Sequence, residues 1–149
     1  MKKFIQNKLK DQKGLTLIEL LAVIVILAII AAIAIPAIGN IIENSRVGAA
    51  KSDLTNAISA AELYIVDNPT STTVTLDNLK TGNYLPDQGS ITSFSYAVTS
   101  KLVTGVALND DITITATAAT KAQISSIKNN DPTNTTKGTG TNGATLVRR

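Results

Sequence analysis

Sixteen consecutive apolar residues, Leu20–Ile35, constrain this chain more than any other feature. Between Leu15 and Ile42 the apolar run is interrupted only by Thr16, Glu19, Pro36, Gly39 and Asn40. A helix rises about 1.5 Å per residue, so about 20 apolar residues cross a bilayer core of about 30 Å. The apolar core of a secretory signal is shorter, about 7–15 residues. Residues 15–42 are therefore predicted to form a membrane-spanning helix.

The first 14 residues, MKKFIQNKLKDQKG, hold the basic charge of the chain. Five lysines against Asp11 give this leader a net charge of 5 − 1 = +4, and the rest of the chain carries 9 − 10 = −1. The positive-inside rule places residues 1–14 in the cytoplasm and the remainder outside. Because the basic excess ends with the leader, the net charge does not indicate a nucleic-acid surface.

The chain contains no Cys and no His, which excludes several classes of site. A disulfide framework, a Cys- or His-ligated metal site and a Ser-His-Asp or Cys-His pair are all impossible. No acidic pair stands in a recognisable catalytic setting, so we predict neither an enzyme nor a cofactor. Residues 138–143 match G-x-G-x-x-G, but the six residues that follow cannot supply the helix and strand of a dinucleotide site.

Glu19 is a carboxylate inside the apolar segment, where an unpaired charge costs a few kcal/mol or more. The residues alone leave two interpretations open. Glu19 lies at the headgroup level, one turn inside the cytoplasmic edge, and stays solvated; or it requires a cationic partner inside an assembly.

The string KGLTLIELL at residues 13–21, followed by an apolar helix with Pro36, resembles the N-terminus of type IV prepilins over about residues 10–40. In that family a prepilin peptidase cleaves after the leader glycine, here Gly14, and methylates the new N-terminal amine, here that of Leu15. The usual residue after the cut is Phe, so Leu15 departs from the pattern. Lys13 and Thr16 belong to the recognition motif that the resemblance implies.

The same resemblance gives Glu19 a partner, the N-terminal ammonium of Leu15 in a neighbouring subunit of the filament. Two opposite charges in a low-dielectric core stabilise each other, which agrees with this pairing. Pro36 and Gly39 are the expected helix break, because proline lacks an N–H and glycine weakens a helix. The resemblance further implies that this stretch melts on assembly.

From Glu43 the pattern becomes amphipathic, with apolar residues at helical spacing and polar residues opposite them. The apolar stripe comprises Val47, Ala50, Leu54, Ala57, Ile58, Ala61 and Ile65. The helix should end near Asp67, since Pro69 disfavours helix in the residue before it. One helix over about Leu17–Val66 is predicted, with its stripe packed on a second layer.

Alternating residues in the second half of the chain predict a three-stranded antiparallel meander. Its strands contain Phe94–Val98, Val106–Leu108 and Ile112–Thr117, with a tight turn at Asn109-Asp110. A helical turn is expected at Leu76–Lys80, capped by Thr75 and stopped by Gly82. Residues 121–128 fit either a strand or a helical turn. In the Asn/Thr/Gly-rich tail, residues 129–149, the stretch 129–144 is expected to be loose, and the end of the chain is either held by other packing or exposed.

The predicted fold is α+β and pilin-like, with a long N-terminal helix on a small antiparallel sheet. Its segments are a leader (1–14), a filament-core helix (15–42), an amphipathic helix (43–67), a loop and meander (68–128) and a tail (129–149). The leading hypothesis is a major pilin-like subunit that is membrane-anchored first and polymerises afterwards into a surface filament. Its partners would be the peptidase, identical subunits and the assembly machinery. One alternative is a pseudopilin of secretion or DNA uptake, and nucleic acid would be a partner only in the DNA-uptake role. A further alternative is an unprocessed, signal-anchored extracellular binding domain.

Overall fold

Helix α1, Leu17–Asp67, dominates the chain in a computed structural model that describes residues 17–129, 136–137 and 143–148. Its bounds confirm the helix predicted from about Leu17 to Val66. The chain divides into two compact units, Met1–Gly39 and Asn40–Arg149, and the second is called the head below. At the end of α1 the backbone N–H of Asn68 donates to the Tyr64 carbonyl at 2.9 Å, which satisfies one of the last helix carbonyls.

The head adds a single antiparallel sheet and two short helices to α1. The elements are β1 (Thr73–Thr75), α2 (Leu76–Thr81), β2 (Ile91–Ala97), β3 (Leu102–Asn109), β4 (Ile112–Ala119), α3 (Lys121–Ser125), β5 (Thr136–Lys137) and β6 (Gly143–Arg148). The strand order is β1-β2-β3-β4-β6-β5, and every neighbouring pair is antiparallel. The predicted α+β architecture is confirmed.

The core of the head lies between one face of α1 and one face of the sheet. The buried residues of α1 are Val47, Ala50, Leu54, Ala57, Ile58, Ala60 and Ala61. Ile65, the last residue of the predicted stripe, is half-buried and packs against the same core. Each fully buried side chain the size of Leu54 or Ile58 contributes roughly 1.5–3 kcal/mol. The stripe was therefore a correct indicator of the packed face.

The predicted meander is present as β2, β3 and β4. In β4 the burial alternates, with Ile112 and Ile114 facing the core and the threonines between them facing outwards. The turn between β3 and β4 lies one residue later than predicted, because Asn109 still pairs with Ile112. Asp110 takes the left-handed conformation at φ 51°, which aspartate tolerates better than most residues.

Two side-chain caps define the short helices. Thr75 and Asn78 form a capping box at the start of α2, and Gly82 follows as the C-cap, as predicted. Thr120 and Gln123 form a second capping box, which makes Lys121–Ser125 a helix rather than the alternative strand. Local hydrogen bonding thus determines the secondary structure of Lys121–Ser125, which the spacing of apolar residues did not determine.

The prediction that residues 129–144 are loose is wrong for Gly143 and Ala144, because they belong to β6, Gly143–Arg148. Of the two alternatives for the end of the chain, packing against the head is the one observed. This strand pairs with β4 in a register that sets Leu146 beside Ile114. Ala144 and Leu146 are buried at 0% and 1% exposure. The segment has too few apolar residues to fold by itself. It is stabilised by hydrogen bonds to the edge of β4 and by burial of its side chains in the core, and local composition does not predict either contribution.

Two carboxylates of α1 hold the connection between β1 and β2, and the sequence did not point to them. Asp53 accepts hydrogen bonds from the backbone N–H of Ser90 at 2.8 Å and from its hydroxyl at 2.7 Å. Asp67 accepts a 2.5 Å hydrogen bond from the hydroxyl of Tyr84, and this bond raises the pKa of Tyr84. The ring of Tyr84 also meets the ring of Tyr64 edge-on, with centroids 5.3 Å apart.

Gly105 on β3 allows a close approach of β3 to β2. A Cβ at this position would lie 2.5 Å from the carbonyl oxygen of Ser93 on β2. We expect Gly105→Ala to lower the free energy of unfolding by roughly 1–3 kcal/mol, because the backbones must separate. Urea unfolding of residues 40–149 measures this, since the buried core residues all lie between Val47 and Leu146.

The matched control is Ser95→Ala, on the outer face of β2, which should change stability by no more than about 0.5 kcal/mol. An unfolding midpoint for Gly105→Ala equal to that of Ser95→Ala would contradict the close approach at Gly105.

Candidate functional site

The first unit presents an apolar helix surface that its own described residues leave open. All residues from Leu17 to Gly39 are exposed, apart from the half-buried Ala34. Leu17 is 82% exposed and Ile33 70%. At about 1.5 Å per residue these 23 positions cover about 35 Å, enough for a bilayer core of about 30 Å. Within the described residues, α1 is the helix whose length and composition suit a membrane span.

Glu19 lies in the first turn of α1 and is exposed. A carboxylate near a helix N-terminus is stabilised by the helix dipole, typically by about 0.3–1 kcal/mol. This favourable position was not recognised in the sequence, although a charged residue three positions into a helix is a known signal. Glu19 therefore lies at the end of the apolar helix that favours a negative charge.

The cleavage and recognition residues Lys13, Gly14, Leu15 and Thr16 lie outside the described residues. The scissile bond and the amine that would face Glu19 therefore have no described geometry. Their roles remain predictions from the sequence.

The expected break at Pro36 and Gly39 is not a break in the helix. Pro36 lies inside α1, and helical structure continues through Gly39 to Asp67. Proline removes one backbone hydrogen bond, and in an apolar surrounding the neighbouring turns still have to satisfy theirs within the helix. A Cβ on Gly39 would meet nothing within 4 Å, so no close contact requires a glycine there. Melting on assembly stays a prediction.

Several acidic residues of the head take part in structural contacts, as Asp53 and Asp67 do. Asp110 forms an ion pair with Arg46 of α1 at 3.0 Å, which joins the β3–β4 turn to the helix. Because its side chains are 38% and 65% exposed, such a pair adds at most about 1 kcal/mol. Among the described residues no group of three or more Asp and Glu side chains is placed to hold a metal ion.

Residues 9–35 match the family model of the prokaryotic N-terminal methylation motif. This motif is the signature of type IV pilins and prepilins, and the family that carries it is structural rather than catalytic. The match includes Gly14, Leu15 and Glu19 and ends one residue before Pro36. No curated protein and no solved structure matches the chain.

Proposed function

We propose that this chain, which carries the type IV prepilin signature at its N-terminus, is the structural subunit of a type IV pilus or a related surface filament. The observation that carries the proposal is the coincidence of the matched motif, residues 9–35, with an apolar helix surface left open in its own unit. Such a surface has to be covered by lipid, by other copies of the helix, or by each in turn.

In the proposed sequence of events, the helix over residues 15–42 first anchors the chain with its N-terminus in the cytoplasm. Prepilin peptidase then cleaves after Gly14 and methylates the amine of Leu15. The apolar helices associate into the filament core, with the head on the outside. Lipid already covers the apolar side chains, so burial gains less than it would from water, and the pilus assembly machinery has to drive extraction from the membrane.

In the filament, Glu19 neutralises the ammonium of Leu15 in a neighbouring subunit. The position of Glu19 in the first turn of α1 supports this, because it places the carboxylate at the end of the described helix that lies nearest to Leu15 along the chain. A charge pair in an apolar core also fixes the axial register of neighbouring helices, since any other register buries two unpaired charges.

The experiment that tests the proposal is the intact mass and N-terminal sequence of the protein from its native host. We expect a chain that begins at Leu15 and carries one added methyl group. A chain that retains residues 1–14 would show a signal-anchored domain instead. Electron microscopy of the same cells separates long pili from a short pseudopilus, which shares the matched motif.

A further inference from the structure

Strand β6 is joined to the rest of the head by a connection of unusual composition. Residues 130–142 number thirteen and include no apolar side chain. Fully extended, this length of chain spans about 45 Å, whereas the eight residues of β4 cover about 26 Å. If β5 travels with β6 as a hairpin, residues 130–135 still span about 20–22 Å. The connection therefore does not oblige β6 to pair with β4 of its own chain.

The strand that β6 covers is well suited to accept any matching strand. Residues 112–119, ITITATAA, contain no charge and no proline, and β-branched residues occupy five of the eight positions. β6 pairs with this strand from Ile112↔Arg148 to Thr117↔Gly143. Without β6, these positions would form an open edge, and such an edge readily pairs with a strand of another chain.

The contacts that hold β6 in place are the same in every copy of the chain. Ala144 and Leu146 fill the core beside Ala116 and Ile114, and β6 is further held by antiparallel pairing with β4 and β5 and by contacts with α3. Exchange of identical elements between two copies therefore changes few contacts. Its equilibrium depends on the connection and on the effective concentration of neighbouring heads.

We propose that β6 is an exchangeable strand and that the edge of β4 accepts the β6 of a second copy of this chain. Copies held side by side, in a membrane or in a filament, supply the high effective concentration that favours exchange. Each exchanged strand then links two heads through backbone pairing, in a chain that has no Cys to form a disulfide. The inference goes beyond the proposed filament, because exchange requires only neighbouring copies.

The experiment places one cysteine on each of two co-expressed full-length chains, Thr115→Cys on one and Thr145→Cys on the other. These residues are paired across β4 and β6, are half-buried, and lie on a face away from the core. Mild oxidation or a short bis-maleimide reagent is applied to cells, and products are separated on a denaturing gel. We expect a cross-linked dimer of the two chains, at least tenfold above the level given by either variant alone.

The matched control is the co-expressed pair Val106→Cys and Thr115→Cys, which are paired across β3 and β4 of one chain. A two-residue turn joins these strands, so they cannot separate between copies, and we expect no dimer. Equal dimer in the test and control pairs would show random collision and overturn the proposal.

A chain that carries both Thr115→Cys and Thr145→Cys provides the second measurement. Internally linked monomer from this chain, together with no dimer from the co-expressed test pair, would also overturn exchange. Intact mass of the same samples reports leader removal separately. Failure of exchange in chains that begin at Leu15 leaves the proposed function standing, and exchange in chains that retain residues 1–14 contradicts only the proposed function.

Discussion

Replacement of Gly14 by valine is expected to leave residues 1–14 on the chain and to abolish filament formation. If the peptidase cleaves after Gly14, as proposed, a branched side chain at that position should hinder cleavage of the bond. The unprocessed chain keeps the +4 charge of its leader on the cytoplasmic side, which opposes its extraction. Intact mass of the membrane fraction and electron microscopy of sheared surface material measure both effects.

The control for Gly14→Val is Gly39→Ala, a glycine substitution farther along the same apolar segment. A Cβ there meets nothing within 4 Å, and alanine favours helix over glycine by about 1 kcal/mol. We expect normal leader removal in this variant. A Gly14→Val chain that begins at residue 15 would refute the assigned cleavage site.

The second large effect is expected from Glu19→Gln, which keeps the shape of the side chain and removes its charge. The leader should be removed as in the wild type, because the scissile bond is unchanged. Filaments should be lost, because the ammonium of Leu15 would then be buried without its partner. Breaking a buried ion pair costs about 3–5 kcal/mol, which corresponds to at least about 100-fold weaker association per subunit.

Glu62→Gln, on the exposed face of α1 in the head, is the matched control for the loss of one carboxylate. It should leave filament yield unchanged, because a solvated charge contributes little. Wild-type filament yield in Glu19→Gln would mean that Glu19 is a solvated residue at the membrane interface. Processed chains without filaments would support the charge pairing.

Much of the head was predictable because its cues are local. The stripe from Val47 to Ala61 follows the 3.6-residue period, and a helix with such a stripe has to bury it. Alternation over Ile112–Thr117 fixed which side of β4 faces the core. Thr75 predicted the start of α2, because the hydrogen bonds of its N-cap involve residues only three positions apart.

Other features depend on partners far away in the sequence and could not be predicted. In the sequence, Asp53 resembles any surface carboxylate. In the structure, Ser90, which lies 37 residues later, donates two hydrogen bonds to it. The close approach at Gly105 involves Ser93 of β2, where the register of β2 against β3 is irregular. Asn109 was predicted in the turn because residue type alone does not show which residue is the last to pair.

The sequence by itself determined that residues 1–14 are basic, that a long apolar segment follows them, and that residues 9–35 match the prokaryotic N-terminal methylation motif. Charge, length and spacing along the chain are enough for those conclusions. Only the tertiary structure decided that Gly143–Arg148 form a strand of the sheet. A short strand with two buried side chains gains stability from an edge supplied by another strand, and sequence composition cannot report whether such an edge is available.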